Sequence, residues 1–73
     1  MEECMPDEAH EFATRLRSLM ARRGLKQVDV AAQIGVSTRT MWLYYNGKRL
    51  PNVRNARRLR RFLKCTWEEL LGL

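Results

Sequence analysis

Histidine and cysteine, on which most small metal sites and many catalytic sets depend, are almost missing from this chain. There is one histidine, His10, and there are two cysteines, Cys4 and Cys65. No histidine stands at zinc spacing from either cysteine, so no metal framework is expected, and Cys65 reads as a small buried hydrophobe. Nothing in the sequence assembles a Ser-His-acid or Cys-His set, and no glycine-rich phosphate loop is present. An enzyme is therefore not expected, and no cofactor or small-molecule ligand is implied. Long apolar runs are missing too: none approaches the roughly 18–20 residues that a membrane span requires. The opening Met1-Glu2-Glu3-Cys4 is acidic where an export signal is basic, which leads to the expectation of a soluble, cytoplasmic protein. No repeat, linker or low-complexity stretch divides the 73 residues, which suit one domain with a thin core.

The most informative absence is of negative charge. Residues 1–11 hold five acids (Glu2, Glu3, Asp7, Glu8, Glu11) and no Lys or Arg. From Phe12 onward the chain has fourteen bases against three acids, and between Asp29 and Glu68 there is no acid at all. Nine bases fill that interval: Arg39, Lys48, Arg49, Arg54, Arg57, Arg58, Arg60, Arg61 and Lys64. A solvated helix face interleaves signs, whereas a one-sign block of this length in a folded chain implies a polyanionic partner. A second reading has the acidic segment folding over a basic surface as an internal mimic of that partner.

What is present is helical periodicity. Asp7, after Pro6, is a plausible N-cap, and Phe12, Leu16, Leu19 and Met20 then recur on one helix face, with Arg22 and Arg23 at its cation-favouring end and Gly24 stopping it. A second helix is expected from Gln27 to Ile34, burying Val30, Ala31 and Ile34 and ending at Gly35. Ser37 then caps a third helix that buries Met41 and Tyr44 and closes at Asn46-Gly47. After the basic loop Lys48-Arg49-Leu50-Pro51, Asn52 caps a fourth helix with the stripe Val53, Ala56, Leu59 and Leu63. Thr66-Trp67-Glu68-Glu69 is a capping box that opens a short last helix. No strand-like alternation occurs, so the fold expected is an all-α compact bundle of five helices. Residues 1–11 form an acidic segment and the start of helix 1, and 12–71 form the domain proper.

Within it, residues 27–45 read as two short helices joined by a tight turn. Ala31 sits where the helices cross closely, Gly35 supplies the positive φ of the turn, and Val36 plugs the gap beneath it. Such a unit projects its second helix outward, and an α-helix fits the roughly 12 Å wide major groove of B-DNA. At this point the sequence resembles the lambda-repressor-like, Xre-type helix-turn-helix family, which includes phage Cro and repressor proteins and restriction–modification controllers. The marks are Leu25-Lys26-Gln27, Ala31, Gly35-Val36-Ser37, Thr40-Met41, Asn46-Gly47-Lys48-Arg49, Pro51 and the closing Thr66 to Leu71. The resemblance implies that Gln27 and the Asn46, Lys48, Arg49 loop hold phosphates, that Thr38, Arg39 and Leu43 face base edges, and that Ser37 lies beside them. The side-chain chemistry agrees: Arg39 can take guanine O6 and N7 in a bidentate bond, Thr38 can donate or accept, and Leu43 offers apolar surface. Arg54, near the start of the fourth helix, can reach a phosphate beside the loop. Trp42 lies on the same outward half, and the preferred reading packs it against a neighbouring element.

Two positions depart from the family pattern. Where relatives pair an arginine on the first helix with a glutamate before Asn-Gly, this chain has Met20 and Tyr45, so an apolar contact is expected in place of an ion pair. Arg60 stands where relatives carry a small residue, and the sequence gives no reason for it. One module buries only about 600–1,000 Å² on DNA, so two copies on half-sites one turn apart are expected. In relatives the last helix often forms the symmetric interface, which implies Trp67, Leu70, Leu71 and Leu73 shared between core and dimer contact. The expected function is thus a transcriptional regulator of the repressor type, binding double-stranded palindromic DNA as a homodimer. An antitoxin or other module with a protein partner, and a non-specific nucleic-acid binder, stay open as alternatives.

Overall fold

The computed structural model describes residues 7–72 and contains five α-helices: α1 (Asp7–Arg23), α2 (Gln27–Ile34), α3 (Thr38–Tyr45), α4 (Val53–Leu63) and α5 (Trp67–Leu71). Each lies where periodicity and capping placed it. Asp7 is already helical, so its expected role as cap falls at the edge of the described residues. The core is one cluster: Phe12, Leu16, Leu19 and Met20 from α1, Val30, Ala31 and Ile34 from α2, Met41 and Tyr44 from α3, Leu59 and Leu63 from α4, Leu70 from α5, and Cys65. These are the stripes read from the sequence, with one exception. Val53, placed on the inner stripe of α4, is 70% exposed because it is the first residue of the helix and lies beyond the packed turn.

Helix starts follow their caps. The Ser37 Oγ accepts from the Thr40 amide at 3.1 Å, and Asn52 Oδ1 accepts from the Asn55 amide at 2.8 Å. In the expected capping box of α5, Thr66 Oγ1 accepts from the Glu69 amide at 3.0 Å, while Glu69 Oε1 accepts from the Thr66 amide at 2.9 Å. The ends share one device. Four helices each close with an amide donating back to the carbonyl five residues earlier: Leu25 to Met20, Val36 to Ala31, Lys48 to Leu43 and Cys65 to Arg60. Such a closure needs a left-handed residue just before the donor. Gly24, Gly35 and Gly47 provide it, and at α4 Lys64 provides it with φ 53° despite its side chain.

Burial makes the Cys65 thiol a poor acid. Its pKa is raised first by desolvation and then by the neighbouring Glu69 carboxylate. Arg60, unexplained by sequence, packs its guanidinium 5.2 Å from the centre of the Trp67 ring and so ties α4 to α5. No described helix is long and apolar enough to cross a membrane.

Candidate nucleic-acid interface

Only two residues of α3, Met41 and Tyr44, are buried. Tyr44 anchors the helix with its ring edge-on to Phe12, centroids 6.3 Å apart, and its hydroxyl accepts from Asn55 Nδ2 at 2.9 Å. The anchoring leaves Thr38, Arg39 and Trp42 exposed, with Leu43 half-buried. Thr38 and Arg39 stand four and three residues before Trp42, so all three share one side of the helix. Ser37 is exposed beside them, but its hydroxyl is engaged at the helix start, where it also donates to Thr40 Oγ1 at 3.0 Å.

Next to this face lies the start of α2. Its N-cap residue, Lys26, is extended and gives no side-chain acceptor to the first-turn amides. The Asp29 amide donates to the Lys26 carbonyl at 3.1 Å, and the Asp29 carboxylate shares this turn. The donors open to an anion such as a phosphate, at the positive end of the helix dipole, are therefore the Gln27 and Val28 amides. Gln27, the first residue of α2, Val28, Thr38, Arg39 and Trp42 together line one open groove of about 530 Å³. The structure therefore brings the expected phosphate-holding Gln27 together with the expected base-reading Thr38 and Arg39. Leu43 does not line that groove.

At the other end of α3 the chain turns sharply. Asn46 ends the helix, its backbone amide donating to the Trp42 carbonyl at 3.0 Å and its Nδ2 to the same oxygen at 2.9 Å. Gly47 follows at φ 73°, and a Cβ there would come within 3.2 Å of the His10 Cα, so the loop lies directly on α1. Lys48 and Arg49 are exposed immediately beyond, as is Arg54 in the first turn of α4. Among the described residues none of Arg39, Lys48, Arg49 or Arg54 is paired with a carboxylate.

Other arginines are committed to the fold. Arg17 Nη1 donates to the Tyr45 carbonyl at 2.8 Å, and its guanidinium lies 5.9 Å from the Tyr45 ring centre. Tyr45 packs against the core cluster to which Met20 belongs, in keeping with the apolar surroundings expected there, and the Arg17 bond is an addition the sequence reading did not include. An arginine on α1 still holds the end of α3, but it comes from Arg17, one turn before the buried Met20, and it binds the backbone and ring in place of a carboxylate. Arg58 Nη1 likewise donates to the Ile34 carbonyl at 3.1 Å, closing the end of α2 from α4. Both helices of the unit thus end on a cation, which the helix dipole favours.

Trp42, like Val53, departs from the sequence expectation. Expected against a neighbouring element, it is 49% exposed. Val28, not singled out by sequence, is 54% exposed beside it in the same groove. The spacing of Trp42 from Thr38 and Arg39 was the available signal, and the usual burial of tryptophan outweighed it. Leu50 at 42% and Val53 form a separate patch. With Pro51, Phe12, Ala56, Trp67 and Leu71 they line an apolar groove of about 360 Å³, rimmed by Glu8 and Glu11. Of the residues expected to share core and dimer contact, Leu70 is wholly in the core, Trp67 and Leu71 are half-buried at this groove, and Leu73 lies outside the described residues. The acidic segment is described only from α1 onward, where Glu11 lies 4.0 Å from Arg15.

Among the described residues no group of histidine, cysteine and acidic side chains is placed to hold a metal ion. Residues 11–71 match the model of a protein family described as a helix-turn-helix domain. No curated protein and no solved structure gives a significant match to the chain.

Proposed function

Because this chain belongs to the helix-turn-helix domain family, a DNA-binding fold, we propose that it is a sequence-specific transcriptional regulator of the repressor type, built like the phage Cro and controller proteins. In this reading α3 enters the major groove. Arg39 takes a guanine edge, and Thr38 and Leu43 contact neighbouring bases, with Ser37 at the helix start. The open amides at Gln27, the Asn46–Arg49 loop and Arg54 hold the flanking phosphates. The observation that carries the reading is the convergence at one groove of an uncapped helix start with Thr38 and Arg39. Phosphate contacts position a protein and base contacts specify its site, and here the two kinds of group stand side by side.

The active species is a homodimer on an inverted repeat. The apolar groove at Leu50, Pro51, Val53, Trp67 and Leu71 supports this, since a contiguous exposed apolar patch marks an interaction surface. Selection from a pool of random duplexes, with sequencing of the bound fraction, tests the proposal. Enrichment of an inverted repeat with half-sites about ten base pairs apart is the expected result. Tight, salt-sensitive binding with no enrichment would instead indicate a non-specific binder.

A further inference from the structure

Among the described residues the exposed large apolar side chains fall into two groups, and only one is explained by a dimer contact. Val28 and Trp42 stand apart from the Leu50 and Val53 patch, on the groove that also carries Gln27, Thr38 and Arg39. An indole left half exposed, with Thr38 and Arg39 on its side of the helix, forgoes hydrophobic stabilisation in the free protein, so its place calls for a partner surface. That surface has to be apolar, and it has to lie where Thr38 and Arg39 meet their own ligand. In the major groove the base edges present donors, acceptors and one apolar group, the C5-methyl of thymine.

We infer that Trp42, walled by Val28 of α2, forms an apolar subsite that reads the C5-methyl group of a thymine next to the base read by Arg39. The inference rests on the DNA-binding reading and deepens it by naming a specificity-determining residue outside the set Ser37, Thr38, Arg39 and Leu43. Three observations carry it. Trp42 is one turn from both Thr38 and Arg39 and shares their side of α3. The Trp42 carbonyl accepts from the Asn46 amide and from Asn46 Nδ2, so its backbone is held in the last turn of a well-closed helix. Val28 follows Gln27 at the start of α2 and lines the same groove as Thr38, Arg39 and Trp42, so an apolar wall adjoins the base-reading face. Leu43, the apolar reader expected from the sequence, is half-buried and does not line this groove.

Exchange of thymine for uracil removes one methyl group and leaves every hydrogen-bonding atom in place, so it isolates the contact. A duplex carrying the site selected from random DNA is synthesised with each thymine replaced in turn by uracil. Equilibrium binding at fixed salt is then measured for the wild-type chain and for Trp42→Ala, after confirming an unchanged helix signal and melting midpoint. The wild-type chain is expected to lose about fourfold in affinity at one thymine per half-site, the effect of withdrawing one buried methyl. Trp42→Ala is expected to bind thymine and uracil equally at that position while keeping its preference elsewhere. Indifference of the wild-type chain to every exchange, with the selected site still bound, would overturn the inference and leave the DNA-binding reading standing. A position-specific loss that persists in Trp42→Ala would overturn it too, assigning the methyl contact to Leu43. Failure to bind any duplex would remove the DNA-binding reading and the inference together.

Discussion

At the residue scale the sequence separates core from surface well and separates two kinds of arginine poorly. Phe12, Leu16, Val30, Ile34, Met41 and Leu59 announce themselves by helical spacing, because burial repeats with the helix turn and leaves a period in the sequence. Arg17, Arg58 and Arg60 carry no such signature: one bonds the end of α3, one bonds the end of α2, and one stacks on Trp67. In the sequence they are indistinguishable from Arg39, Arg49 and Arg54, which are exposed and unpaired with acids among the described residues. What an arginine does depends on which backbone carbonyl lies within reach, and that is a property of the packed helices. Lys48→Ala is expected to weaken binding to all duplexes alike and to lower the dependence of log affinity on log salt by about one unit, as a titration series from 50 to 200 mM salt would read. Cys65 is expected to resist alkylation at neutral pH in the folded protein. Burial and Glu69 both hold its thiol protonated, so its labelling rate in denaturant should greatly exceed the native rate.

At the element scale the caps were legible because they act over three or four residues. Ser37, Asn52 and the Thr66–Glu69 box all do what their spacing implies. The end of α4 was less legible. Its closure uses Lys64 in the left-handed region, where glycine is the usual residue, so no glycine marks the stop. Lys64→Gly is therefore expected to raise stability by about 0.5–1 kcal/mol, visible as a higher urea midpoint, since it relieves the left-handed strain at a site where the closure is already formed. Arg58→Ala is expected to lower stability by about 1 kcal/mol, below the roughly 1.5–3 kcal/mol of a hydrogen bond with a charged partner because Arg58 is exposed. Gly35→Ala acts on the same joint. At φ 74° its Cβ would lie 3.2 Å from Arg58 Nη1, so strain at the turn and displacement of the guanidinium would arise together.

At the scale of the whole molecule, charge and shape point the same way. Residues 12–73 carry fourteen bases and three acids, and the described fold measures 36 × 25 × 22 Å. A body of that size covers one half-site, while half-sites of an inverted repeat lie about 34 Å apart along the helix axis. A second copy is then the natural complement, and the apolar groove at Leu50, Val53, Trp67 and Leu71 is where we place it. Val53→Glu should leave the melting midpoint nearly unchanged, because the residue is 70% exposed, and should shift sedimentation equilibrium toward the monomer. The helix-turn-helix architecture was readable because a run of small, turn-forming and capping residues specifies it locally. The apolar groove was not, because it unites α1, the loop before α4, α4 and α5, which come together only in the folded chain.

The central claim is that α3 reads bases while its surroundings hold phosphates. It is tested most directly by titrating the wild-type chain and Arg39→Ala against the selected duplex and a scrambled one at the same salt. Arg39→Ala is expected to lose about 1–3 kcal/mol on the selected duplex, to relax preference at one base pair, and to bind the scrambled duplex almost as the wild type does. An equal loss on both duplexes would contradict the account, because it would make Arg39 a phosphate contact and leave α3 without its principal reader.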